Sequence, residues 1–257
     1  MLALLIVLAT LTDAPPPPDA LPGPESSGDR RVGPFSRDTY PSEVSARPLT
    51  LPAGMIRASA ALDAGWIRLL PAYAWVGGLG VSGSYGLTHQ LELTAFAQFD
   101  LTPLATNRMG VSGTLLLHDD PAFDLALAAA FDLVPASVSP TPAITLGLPG
   151  RLLFADRLFF TFGGHLVSLQ LSPPQVRASL ELGVGAQVTS SLAVALETDL
   201  FKSLSQAYVF HTFVVPLDLS ATLAVANGFD LQARVSTFNL FDPGLSGTLT
   251  LAGSAYF

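Results

Sequence analysis

From Met55 to Phe257 the chain alternates apolar and polar positions in segments that recur about every seventeen residues. Successive side chains on a strand point to opposite faces, so each segment predicts a strand with one apolar and one polar face. Phe123 to Leu133 shows it most plainly. Phe123, Leu125, Leu127, Ala129, Phe131 and Leu133 alternate there with Asp124, Ala126, Ala128, Ala130 and Asp132. Twelve strands are predicted: 55–63, about 73–86, 91–100, 108–117, 123–133, 144–154, 158–166, 176–188, 192–200, about 210–225, 229–237 and 246–257. Pro149 and Pro216 fall inside the sixth and tenth. Each removes one ladder hydrogen bond and predicts a bulge.

The connections alternate in length. Short turns are predicted at 87–90, 118–121, 155–157, 189–191 and 226–228, and longer joins near 64–71, 101–107, 135–142, 168–175, 201–207 and 239–245. With twelve strands, that alternation brings both ends of the sheet to the side of the short turns.

Composition decides what the apolar faces meet. Hydrophobic residues make up 49% of the 257 and charged residues 12%, with no cysteine and a mean hydropathy of +0.48. A soluble domain carries about twice that charged fraction. Beyond the first dozen residues no run reaches the ~18 apolar residues of a spanning helix. High hydropathy without such a run predicts an antiparallel up-and-down β-barrel across a membrane, because lipid requires every backbone group to be paired within the protein. A soluble β domain would need its polar face outward, and the charged residues are too few to cover it. The absence of cysteine excludes a disulfide framework and a lipid-anchored cysteine.

The region before the strands divides in two. Leu2 to Leu11 has the length of a signal-peptide core, so residues 1–14 are expected to be an export signal. Ten of the 21 prolines lie within 15–52, which predicts an extended, solvated linker ahead of a barrel spanning 53–257, with a plug inside the lumen as the alternative. Residues 1–50 carry a net charge of −2 and the remainder −6, with no basic cluster. Nucleic acid is therefore not an expected partner.

Charge inside a membrane segment is costly on the lipid face. The charged parity is therefore read as facing the lumen. It places Arg57, Glu92, Asp124, Asp132, Arg151, Arg177, Glu181, Glu197, Asp199, Asp218, Asp230 and Arg234 there, together with Asp100 and Arg108. These groups fit two readings: a paired network filling a closed barrel, or the lining of a narrow, mildly cation-favouring passage. Small inward residues such as Ala126, Ala128, Ala130 and Gly183 favour the passage. His89, His118, His165 and His211 have no metal-ligand spacing, and no cofactor is implied.

The last strand, Ser246 to Phe257, ends on Tyr256-Phe257. It resembles the C-terminal signal of bacterial outer-membrane β-barrels, in which the final strand closes the barrel and is read by the assembly machinery. Tyr85-Gly-Leu-Thr-His-Gln-Leu-Glu-Leu93 is similar to a tight turn of porin-like outer-membrane proteins, including transporters of the aromatic-degradation type. The resemblance implies an outer-membrane location, contact with its lipid, assembly through Tyr256 and Phe257, and passage of small solutes or ions. It also implies periplasmic short turns, hence both termini in the periplasm. A barrel-type lipid-acting enzyme is a further alternative, but no serine motif accompanies inward-facing His165.

Overall fold

The structure, a computed structural model, describes residues 35, 39–69, 72–101, 104–134, 141–154, 157–172, 174–203, 215–226, 228–237 and 246–257. The expected export signal, most of the proline-rich stretch, most of the predicted joins 135–142 and 201–207, the start of the tenth predicted strand and the predicted join 239–245 lie outside them.

The alternating segments form fourteen ladder segments: β1 Ile56–Leu69, β2 Ala72–Gly86, β3 Leu91–Leu101, β4 Leu104–Asp119, β5 Phe123–Val134, β6 Thr141–Gly147, β7 Gly150–Phe154, β8 Leu158–Phe162, β9 Val167–Leu171, β10 Pro174–Gln187, β11 Leu192–Ser203, β12 Leu217–Ala226, β13 Phe229–Thr237 and β14 Gly247–Tyr256. All pairings are antiparallel. β6 and β7 are two halves of one barrel strand, and β8 and β9 are two halves of the next. The halves pair in register, β6 with β9 and β7 with β8, while β10 pairs with both β8 and β9. Counted this way, the sheet has twelve strands. It closes where β14 meets β1, from Arg57 opposite Tyr256 to Trp66 opposite Gly247. Closure leaves no unpaired edge.

The parity read from sequence sets the two faces. Leu62, Val81, Leu93, Val111, Leu127, Leu196, Leu219, Leu231 and Leu251 are all exposed on the outer face. Glu92, Asp124, Asp132, Arg151, Ser220 and Asp230 are buried on the inner one. An apolar exterior around a polar interior inverts the arrangement of a soluble protein and suits a barrel in lipid.

Four expectations need correction. The joins expected at 64–71, 101–107 and 168–175 are largely ladder. Leu69 pairs with Ala72, Leu101 with Leu104, and Leu171 with Pro174. The β-favouring residues Trp66 and Trp75 carry the first hairpin on, with their rings 6.3 Å apart. Pro149 does more than bulge its strand, because the ladder stops at Gly147 and resumes at Gly150. The seventh strand, expected to run unbroken through 158–166, is interrupted at 163–166 for the same reason, since its neighbour has lost its ladder there. Gly163 takes a left-handed φ of +73° at this break, and a Cβ on Gly147 would lie 1.6 Å from the Gly164 carbonyl oxygen. Pro216 sits just before β12, which begins at Leu217, and so falls outside the described ladder.

Parity gives a direct test. Val81→Arg puts a charge on the lipid face and should destabilise the barrel by ~2–4 kcal/mol if it lies at mid-bilayer. Ser82→Arg, one residue on, points into the interior, where a Cβ built at neighbouring Gly80 meets only Ala61 at 3.7 Å. It should be nearly neutral in urea unfolding from lipid vesicles, and equal damage from the two would contradict the register.

Candidate functional site

The interior divides into two levels. At the short-turn end, the stretch from Tyr40 to Gly54 does not trail away as a solvated linker. It crosses the barrel mouth as a strap, with one 3-10 turn at Val44–Ala46. This corrects the linker expectation for the described part of 15–52. The strap is held by side chains from around the wall. The Ser45 N–H donates to Gln187 Oε1 of β10 at 3.3 Å, and the Leu51 N–H donates to Glu92 Oε2 of β3 at 2.9 Å. Arg151 of β7 donates to the carbonyls of Val44, at 3.2 Å, and Arg47. Leu51, Met55 and Tyr256 pack into a small buried cluster with Tyr40 against it. The strap passes so close over β2 that a Cβ at Gly86 would sit 2.0 Å from the Pro52 carbonyl oxygen. Only glycine fits there.

Arg47 is the strap's main side-chain anchor. Its guanidinium grips Asp230 with both terminal nitrogens, Nη2 reaching Oδ1 at 2.9 Å and Nη1 reaching Oδ2. The Tyr40 and Tyr256 rings lie over it at 5.4 and 5.5 Å from their centroids. The Tyr256 hydroxyl donates to Asp230 Oδ2 at 2.9 Å. Burial works against the Arg47 charge, but the bond to Asp230 and the charge of that carboxylate outweigh it and hold the guanidinium above its ordinary range. Burial pushes the Tyr40 phenol up.

Two further pairs complete this base. Arg57 of β1 bridges Ser84 and Glu92 at 3.1 and 2.9 Å. Arg151 donates to Asp124 of β5 through Nη2 at 2.6 Å, and that pair is sealed from water, with side chains 7% and 0% exposed. Asp230, Glu92 and Asp124 therefore each face an arginine.

Above the base a second set of pairs is more exposed on the whole, although Asp132 stays buried. Arg108 holds Asp132 at 2.5 Å, His165 pairs with Glu181 at 2.6 Å, and Arg177 meets Asp199 at 3.5 Å. Arg234 lies between Glu197 at 3.3 Å and Asp218 at 4.0 Å. Several of these are well exposed, His165 by 58% and Arg177 by 47%. The opposite wall, β14 to β3, presents small hydroxylated residues. Ser59 bonds Ser254 at 2.8 Å, Ser84 bonds Thr94 at 2.8 Å, and Thr250 donates to Asp63 at 2.5 Å. Of the two terminal residues, Tyr256 is buried under the strap, and Phe257 is 56% exposed while its backbone exchanges two bonds with Ile56.

The charged residues predicted from parity are thus brought together as ion pairs on two levels, except Asp100, which accepts a bond from Asn107 at 2.8 Å. The strap is nearer to a plug in the lumen, the alternative for 15–52, than to the expected solvated linker. Its signal was the surplus of inward acids over arginines, which left Asp230 wanting a cation that Arg47 supplies.

Neither a protein-family profile nor a curated protein sequence matches the chain. Solved structures do. A COG4313 outer membrane channel from Pseudomonas putida F1 superposes with a TM-score of 0.60 at 12% identity, covering 88% of this chain and 100% of that one. The fold is that of the bacterial outer-membrane barrels. A KdgM porin in complex with disordered oligogalacturonate gives 0.58 at 9% identity, and a NanC porin 0.57 at 10%, each covering 79% of this chain and 99% of the other.

Two outcomes follow from the geometry. Gly86→Ala should unseat the strap and leave the barrel closed. Limited proteolysis should then cut within 39–52 at protease levels that spare the unaltered chain, with the heat-modifiable gel shift of the barrel retained. At the turn after β4, hydrogen bonds from His118 and from the Ala122 and Phe123 N–H groups hold the Asp120 carboxyl below its ordinary value. The turn's added stability is present above the ordinary carboxylate pKa of about 4 and is lost as pH falls through the depressed native value. Amide exchange at Ala122 and Phe123 should accelerate over that acidic window and stay protected at neutral pH.

Proposed function

We propose that this outer-membrane-type barrel is a narrow passive channel for small solutes or ions, favouring cations and closed at its base by the strap. The observation that carries this reading is the division of the interior. Pairs with well-exposed members, such as His165 and Arg177, stand above a base sealed by hydrogen bonds to one short segment. In the upper half, Asp63, Asp100, Asp132, Glu181, Glu197, Asp199 and Asp218 stand against Arg108, Arg177 and Arg234 among the described residues. Confined carboxylates in excess attract cations. Channels of the same fold support passage of small solutes. The KdgM porin was captured with a chain of uronic acids, but the acid surplus here opposes an anionic cargo.

In this reading the protein is not an enzyme. Its short turns and both ends face the periplasm, and Tyr256 with Phe257 serves as the signal read by the assembly machinery. A closed barrel without transport is the second reading, and the sealed base is what favours it.

Planar-bilayer recording separates the two. The full chain should show small or intermittent conductance, and removing 39–52 should give steady, larger, cation-preferring currents. Replacing Glu197, Asp199 and Asp218 by their amides in that background should move the reversal potential toward anions. Silence from the shortened chain, with insertion verified, would establish the closed reading.

A further inference from the structure

The base closes with a charge taken from the strap. Asp230 is 5% exposed, and its cationic partner among the described residues, Arg47, sits on the strap and not on a strand of the wall. Lifting the strap would strand a buried carboxylate, and an unpaired buried charge is strongly destabilising. Release is therefore coupled to whatever can replace Arg47. The barrel side of the anchor persists without the strap. Asp230 offers two carboxylate oxygens in one plane, the Tyr256 hydroxyl orients one of them, and the Tyr256 ring provides a face for a planar cation. A planar fork of N–H donors that stacks on an aromatic ring is the chemistry of a guanidinium rather than of a compact ammonium.

The site is also placed for supply from above. The acid-rich upper half concentrates cations over it, and Arg47 itself shows that a guanidinium fits. We propose that Asp230 and Tyr256 form a binding site for a cationic solute bearing a guanidinium group, that Arg47 occupies this site in the closed barrel, and that such a solute competes with Arg47 and releases the strap. This rests on the channel reading for its purpose. Its test is independent of current, so the two can fail separately.

The chain has no cysteine, so Ser45→Cys provides a single thiol in the buried part of the strap. Its rate of reaction with a small methanethiosulfonate reports strap release. Low-millimolar guanidinium chloride should accelerate labelling on the order of tenfold, the factor corresponding to about 1.4 kcal/mol. Urea and methylammonium chloride at equal concentration should not. In a second arm, Arg47→Ala should lower the temperature of the heat-modifiable gel shift, and guanidinium should restore most of the loss. The same barrel carrying Asp230→Asn as well should show no rescue. If Arg47→Ala does not assemble, the labelling arm decides alone, since it keeps Arg47 in place. Absence of acceleration, absence of rescue in an assembled Arg47→Ala barrel, or equal action by methylammonium would each overturn the proposal.

Discussion

Pairing every backbone group without water is the constraint on which the rest depends. A strand in lipid cannot leave an N–H or C=O facing hydrocarbon, so the sheet must close. Closure at β1 and β14 then divides all side chains between lipid and lumen. Polar groups are thereby forced together inside, where isolated charge is expensive. The ion pairs of the interior follow from that crowding. Arg57 with Glu92, Arg151 with Asp124 and Arg108 with Asp132 each join neighbouring or next-neighbouring strands, so they also help fix the register that created them.

The same constraint explains what could be read from sequence. Period-two alternation follows from closure in lipid, and it shows in Phe123 to Leu133 because both aspartates must avoid the lipid face. The strands, the faces and most members of the interior pairs were legible there. The breaks in β6–β7 and β8–β9 were less so. Pro149 reports the loss of one bond on its own strand, but the interruption at 163–166 is a response by its neighbour, and pairing between strands leaves no mark on a local pattern. The ladder beyond Asp63 was obscured because Ala64-Gly65 resembles a turn, whereas Trp66 and Trp75 continue the pairing from opposite strands.

A plug from the proline-rich stretch was an open alternative, but the seat of the strap could not be read, for a different reason. Its seat depends on contacts with Gln187, Asp230 and Glu92, 142, 183 and 41 residues from their partners. Much of its hydrogen bonding runs through its own backbone, which imposes no residue periodicity. Proline content suggested an unpaired backbone, and the strap is indeed not in the sheet. The inference failed at the next step, because a backbone outside a ladder can still be satisfied by side chains. Unmatched acids in the lumen were the available clue. An interior tally of charges constrains segments outside the barrel as well as strands within it.

A seal made this way differs from one made by burying more apolar surface. The apolar part of the strap's seat is small: Leu51 and Met55 against Tyr256, with Tyr40 beside them. The rest is hydrogen bonds and one bidentate ion pair. Apolar contacts reform against almost any neighbour, whereas these polar bonds hold only in one geometry and leave costly orphans when broken. The strap is therefore either seated or released, with little stability in between. In the proposed release the Asp230 carboxylate decides between the two, because its arginine sits on the strap whereas those of Glu92 and Asp124 sit on the wall. A wall that must stay closed in lipid is thus combined with a base that depends on a replaceable charge. Permanence comes from backbone pairing that nothing else can satisfy, and reversibility from a side-chain pair that another cation can.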